Sequence, residues 1–122
     1  MTSSTQPAHT AREYLDQLDA HVAQDLRAAA DILKRDGWTQ GAYYDDTGCH
    51  CAMGAIATAL NVISTEPGDL TEAEWERWSD DVDHLAKHLG DDVDSWNDAP
   101  GRTADEVIAA LHLAADAAEA LQ

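Results

Sequence analysis

The chain has 122 residues, of which 7 are basic and 24 acidic, giving a formal net charge of -17, and it contains no Phe. That length holds one domain with a proper core and not two. The charge repels phosphate backbones and anionic headgroups, which excludes direct nucleic-acid binding and charge-driven membrane contact.

Residues 1–9, MTSSTQPAH, are small, polar and interrupted by Pro7, with neither the basic nor the apolar region of a secretion signal. They are expected to be a disordered tail, leaving one helical domain over residues 10–122. The longest apolar run, around residues 51–63, is too short and too polar to span a bilayer. A soluble, cytoplasmic protein is therefore expected. Cys49 and Cys51 are the only cysteines, and one residue apart they cannot staple a long loop. A reducing compartment fits them best.

The first helix opens at Thr10-Ala-Arg-Glu13, a Ser/Thr-x-x-Glu capping box in which hydroxyl and carboxylate each accept from a free backbone N–H. Leu15, Leu18, Val22, Leu26, Ala29 and Leu33 then recur at steps of three and four, and Gly37 should end the helix. The following segment, GWTQGAYYDDTGCH, is rich in turn residues, and a short hairpin near residues 40–50 is one reading of it. Ala52 to Ile63 forms the next helix, with Ala52, Ile56, Leu60 and Ile63 on one side and small residues beside them. A helix apolar nearly all round belongs in the middle of the domain.

After the turn STEPGD, Thr71-Glu-Ala-Glu74 is a second capping box, and the helix it opens puts Trp75, Trp78, Val82, Leu85 and Leu89 on one face before Gly90 closes it. Thr103-Ala-Asp-Glu106 is a third, opening a helix buried through Val107, Ile108, Leu111, Ala115 and Ala118. The pattern predicts an all-α, compact bundle of four main helices around the buried central Ala52–Ile63 segment.

Two stretches use residue types that a helical core alone does not ask for. Cys51 sits at the first turn of the apolar helix, where free N–H groups and the helix dipole favour a thiolate. With adjacent His50, and with Asp98 or Asn97 from a separate loop, it forms a Cys-His-Asp/Asn set that a thiol enzyme would need. The competing structural reading makes Cys51 a buried small apolar residue. Cys49 and Cys51 with His84 and His88, two imidazoles on one helical face, are also candidate zinc ligands. Reversible oxidation of the two thiols is a further option, limited by the strained ring so close a pair must form.

The second stretch is WNDAPGRT. Trp96, Asn97, Asp98 and Arg102 are its candidate binding residues, Arg102 for an anion at the helix N-terminus or, alternatively, as an internal ion-pair partner. Trp75 and Trp78 supply core volume that Phe does not, or line a groove for a partner helix. No cofactor is called for.

Gly37-Trp38-Thr39-Gln40-Gly41-Ala42-Tyr43, Cys51-Ala52-Met53-Gly54-Ala55-Ile56, and Trp96-Asn97-Asp98 with Pro100-Gly101-Arg102-Thr103 and Glu106-Val107-Ile108 together resemble a family of small uncharacterised proteins of actinobacteria and their phages, filed as a domain of unknown function. The similarity covers about residues 25–118. It implies a shared helical fold in which the cysteine-bearing helix packs against the Asn-Asp loop, and it implies no activity. In that pattern one cysteine precedes a small residue, matching Cys51-Ala52, while Cys49 and His50 look like additions. The expectation is a small cytoplasmic binding or accessory protein, phage-related by this resemblance, that touches a protein partner of basic character. The alternatives are a cysteine enzyme using Cys51 and a zinc-stabilised helical domain.

Overall fold

The computed structural model describes residues 11–61 and 67–120. The tail over residues 1–9, the box residue Thr10, the side chains of Leu15 and Leu18, and Ile63 lie outside the described residues. Among the described residues five α-helices make an all-α bundle: α1 (Ala11–Asp36), α2 (Ala52–Asn61), α3 (Glu72–Leu89), α4 (Val93–Asn97) and α5 (Ala104–Ala120). No helix among the described residues is long and apolar enough to cross a membrane.

Helix α1 buries Val22, Ala23, Leu26, Ala29, Ala30 and Leu33, one stripe at the helical repeat. Its main neighbour is α5, which buries Val107, Ala110, Leu111, Ala114, Ala115 and Ala118. So many alanines on two facing helices let the backbones approach closely, because little side chain stands between them. At the edge of this pair Arg27 bonds Asp116 (2.9 Å) and Glu119.

Helix α2 carries no charge and buries Ala52, Ala55, Ile56, Ala57 and Thr58 against α1, α3 and α4, the central position expected of a helix without a polar face. Leu26, Ile56, Leu85 and Leu111 are the largest apolar side chains wholly removed from water. Each such burial contributes about 2 kcal/mol.

The second capping box is present in full: the Thr71 hydroxyl accepts from the Glu74 N–H (3.2 Å), and the Glu74 carboxylate accepts from the Thr71 N–H (2.8 Å). At the third, Thr103 and Glu106 exchange the same bonds at 3.2 and 3.0 Å. The buried face of α3 differs from the apolar stripe read from sequence. Trp78, Asp81 and Leu85 are the buried residues, Val82 is only partly covered, and Trp75 is 46% exposed, its ring 5.1 Å from that of Trp78.

Asp81 is fully buried beside Asp25 of α1, whose carboxylate takes two bonds from Arg77, both 2.7 Å. This group clasps α3 to α1. Helix α4 is a single extra turn that the sequence pattern does not announce; it buries Val93 and Asn97.

Candidate functional site

The segment from Gly37 to Cys51 links α1 to the central helix and forms no strand. Where a short hairpin is one reading of the sequence, the segment forms two isolated bridges, both at His50: one to Trp38 and one to Tyr44. Gly37, at φ +99°, donates to the Leu33 carbonyl (2.9 Å) to end α1, and its carbonyl accepts from the His50 N–H (3.0 Å). The far end of the loop is a turn built on Asp45, which accepts from the N–H groups of Thr47 (2.9 Å) and Cys49 (3.0 Å). The Thr47 hydroxyl, which donates to the same oxygen at 2.6 Å, is first in holding Asp45 below the usual carboxylate range, and the backbone bonds add to it.

The loop returns over the first turn of α2. The Tyr43 carbonyl accepts from the Cys51 N–H at 3.2 Å, and a Cβ on Gly54 would lie 1.9 Å from that same carbonyl oxygen. Gly54 is therefore required where the loop backbone presses on the helix.

Asn97 ties these parts together. Its Oδ1 accepts from Trp38 Nε1 (2.7 Å) and from the Ala52 N–H (3.0 Å), so it caps α2 from a distant element. Its Nδ2 donates to the Thr39 carbonyl (3.1 Å) and to Asp98 Oδ1 (2.9 Å). Asp98 Oδ1 also accepts from the Gly41 N–H at 3.0 Å, and Gln40 Nε2 donates to the carbonyls of Asn97 and Ala99, both at 3.1 Å. The cysteine-bearing helix and the Asn-Asp loop thus meet, as the family resemblance implies.

Between the Gly41–Tyr43 stretch, the start of α2 and α4 lies an open cleft of about 340 Å³. Tyr43, Cys51, Met53, Asp94, Asn97 and Asp98 line it. Cys51 stands immediately before α2, its sulfur accepting from the Gly54 N–H at 3.3 Å as a serine cap would. Burial pushes the thiol up from its ordinary value; backbone N–H groups of Gly54 and Met53 oppose the shift, and the Asp98 charge adds to it. At neutral pH this group is a thiol rather than a thiolate.

The other sequence candidates are distributed as follows. His50 is wholly buried, but its Nε2 faces Asp36 Oδ2 at 3.1 Å, and its Nδ1 has no partner among the described residues. Arg35 first, and His50 after it, hold Asp36 down at about 2. The imidazole next to Cys51 in sequence is thus engaged by the end of α1, and the geometry does not join Cys51, His50 and Asp98 into a nucleophile–base relay. Arg102 lies over the Trp96 ring, 3.9 Å from its centre, donates to the Trp96 carbonyl (2.9 Å) and pairs with Glu106 (3.2 Å). It serves as an internal clamp, and Asn97 has its hydrogen-bonding capacity used inside the fold.

Cys49 sits under Gly37, its sulfur 3.4 Å from the Thr47 hydroxyl, while Cys51 lines the cleft and His84 and His88 ride on α3. The four candidate zinc ligands do not gather, and no group of three or more His, Cys, Asp or Glu among the described residues is placed to hold a metal ion. Tyr43, Met53 and Asp94 are cleft residues that sequence reasoning missed. The one available signal was the Met53-Gly54 pair in the first turn of an otherwise apolar helix, where a glycine costs helix stability unless another backbone passes close by.

Residues 17–117 match the model of a family described as "Family of unknown function (DUF6197)". No curated protein and no solved structure matches the chain.

Proposed function

The chain belongs to this family of unknown function, and we propose that it is a small acidic binding protein of the cytoplasm that works by contact with another protein through the cleft in front of Cys51. The observation that carries this reading is the make-up of the cleft. It offers an exposed aromatic ring, a thioether, two outward carboxylates and a thiol kept protonated by burial. That combination suits recognition, since the polar groups that could organise a reaction are spent elsewhere: His50 on Asp36, Arg102 on Trp96 and Glu106, and Asn97 on the frame.

The framework also supports contact. Four hydrogen bonds at Asn97 and the seat of the Tyr43 carbonyl against Gly54 fix the cleft walls before any partner arrives, which lowers the ordering cost of binding.

The test is affinity capture from host lysate with three forms of the protein, each checked by circular dichroism. Wild type and Cys51→Ala should recover the same partner, and Tyr43→Ala/Met53→Ala should lose it. Loss on Cys51→Ala with retained fold, together with fast native alkylation of Cys51, would move the thiol-enzyme reading ahead.

A further inference from the structure

We propose that the cleft receives the guanidinium or ammonium group of a basic segment of the partner protein, with Tyr43 and Met53 covering the stem of that side chain and Asp94 and Asp98 meeting its charge. The inference rests on the reading of the cleft as the contact site and names what that site takes.

The first support is the state of the two carboxylates. Asp98 is oriented by the Gly41 N–H and the Asn97 amide, and Asp94 accepts from the Ser95 N–H at 3.0 Å. All these donors are neutral. Both side chains are thus aimed without being neutralised, and neither has a cationic partner among the described residues. The cation nearest Asp98 in sequence, Arg102, is bound to Trp96 and Glu106. An arriving guanidinium finds two carboxyl groups without a cationic partner among the described residues, and a charge-assisted bond to each is roughly twice as strong as a neutral one.

The second support is what flanks those charges. Tyr43 is 38% exposed on the loop side of the first turn of α2. Tyr43 and Met53 thus stand beside the two carboxylates in the lining of the cleft. A free amine or a metal ion would use the carboxylates alone, whereas a basic peptide with apolar neighbours uses both kinds of surface. The net charge of -17 steers such a segment from a distance.

The experiment titrates the isotope-labelled full chain with a short amidated peptide of Arg, Leu and Ala, and with the same peptide carrying citrulline in place of arginine. Amide shifts should concentrate at Gly41, Tyr43, Met53 and Asp98. Asp94→Asn/Asp98→Asn should weaken binding roughly tenfold or more, and the citrulline peptide should not bind. Asparagine at position 98 keeps an oxygen for Gly41 and Asn97, and the single Asp94→Asn variant, expected to weaken binding severalfold, serves if the double variant does not fold. Shifts scattered over the acidic helix faces with unchanged affinity in the variant would overturn the proposal as diffuse adsorption. Equal binding of the citrulline peptide, or saturation by acetylarginine amide as tight as by the peptide, would overturn it too.

The two readings fail differently. If the acidic variant still captures the natural partner while Tyr43→Ala/Met53→Ala does not, the contact reading stands and the cationic occupant falls. If Tyr43→Ala/Met53→Ala captures as wild type does, the contact reading itself is wrong, whatever the peptide shows.

Discussion

Asn97 shows how one buried amide can organise a site without belonging to its working surface. Replacing it with alanine strands the Trp38 indole N–H, the Ala52 N–H and the Thr39 carbonyl in a part of the fold where Asn97 itself is 1% exposed. At about 1–3 kcal/mol for each unmet buried group, Asn97→Ala should cost about 3 kcal/mol or more in urea denaturation. A loss below about 1 kcal/mol would mean that water replaces the amide and the frame is looser than described. Gly54 gives a test of sign. Gly→Ala inside a helix ordinarily stabilises by roughly 1 kcal/mol, but here the new methyl would meet the Tyr43 carbonyl. Gly54→Ala should therefore destabilise, by roughly 1–3 kcal/mol, and shift the amide signals of residues 41–51. The thiol beside it follows the same logic. In a Cys49→Ser background, Cys51 should alkylate at least roughly tenfold more slowly in the folded protein at pH 7 than in the unfolded chain, because burial disfavours the thiolate.

At the level of the elements, much of the fold was legible because helix ends are written in local chemistry. Thr71 and Thr103 each cap their own helix as the Ser/Thr-x-x-Glu pattern requires, and Thr71→Ala or Thr103→Ala should each cost about 1 kcal/mol in thermal or urea unfolding. Gly37 and Gly90 end α1 and α3 for equally local reasons. The inward face of α3 was less legible. Apolar periodicity favours Trp75, Trp78, Val82, Leu85 and Leu89; Trp78 and Leu85 are buried, but Asp81 is buried where Val82 is only partly covered, and Trp75 is exposed. The cause is Asp81, which reads as charged in the sequence yet sits inside as a neutral acid. Helix α4 escaped because one turn of Val, Asp, Ser, Trp and Asn has the composition of a loop. For the site, the unusual segments around Cys51 and Asn97 could be picked out as unusual, and they do touch. Their roles could not, since which way His50 faces and what Arg102 pairs with depend on α1 and α5, far away in the chain. Tyr43 and Asp94 become cleft residues only once loop and α4 are folded against α2.

Over the whole molecule, charge and burial meet at the clasp between α1 and α3. Burial first, and the neighbouring Asp25 after it, raise the Asp81 carboxyl to about 10, with Arg77 pulling the other way and Asp80 adding to the rise. His21, Glu76 and Asp80 line the shallow cleft outside it. In the unfolded chain Asp81 titrates near the ordinary value of about 4. Between these two values the folded state holds a proton that the unfolded state has released. Stability from this group is therefore complete below pH about 4 and is lost as pH rises toward 10, by at most about 1.4 kcal/mol per pH unit. Asp36 works in the opposite sense: its carboxyl is held at about 2 by Arg35 and His50, so its contribution is present above pH about 4 and lost as pH falls toward 2. The protein should consequently be most stable in mildly acidic solution, a bias that self-repulsion at -17 strengthens as pH rises. Urea midpoints at pH 5, 7 and 9 test this, and should fall in that order. Asp81→Asn, a neutral side chain of nearly the same shape that can donate to Asp25, should flatten the slope and raise stability at pH 9 above that of the wild type. A slope unchanged by that substitution would assign the pH dependence to the acidic coat as a whole and leave the clasp between α1 and α3 without a proton of its own.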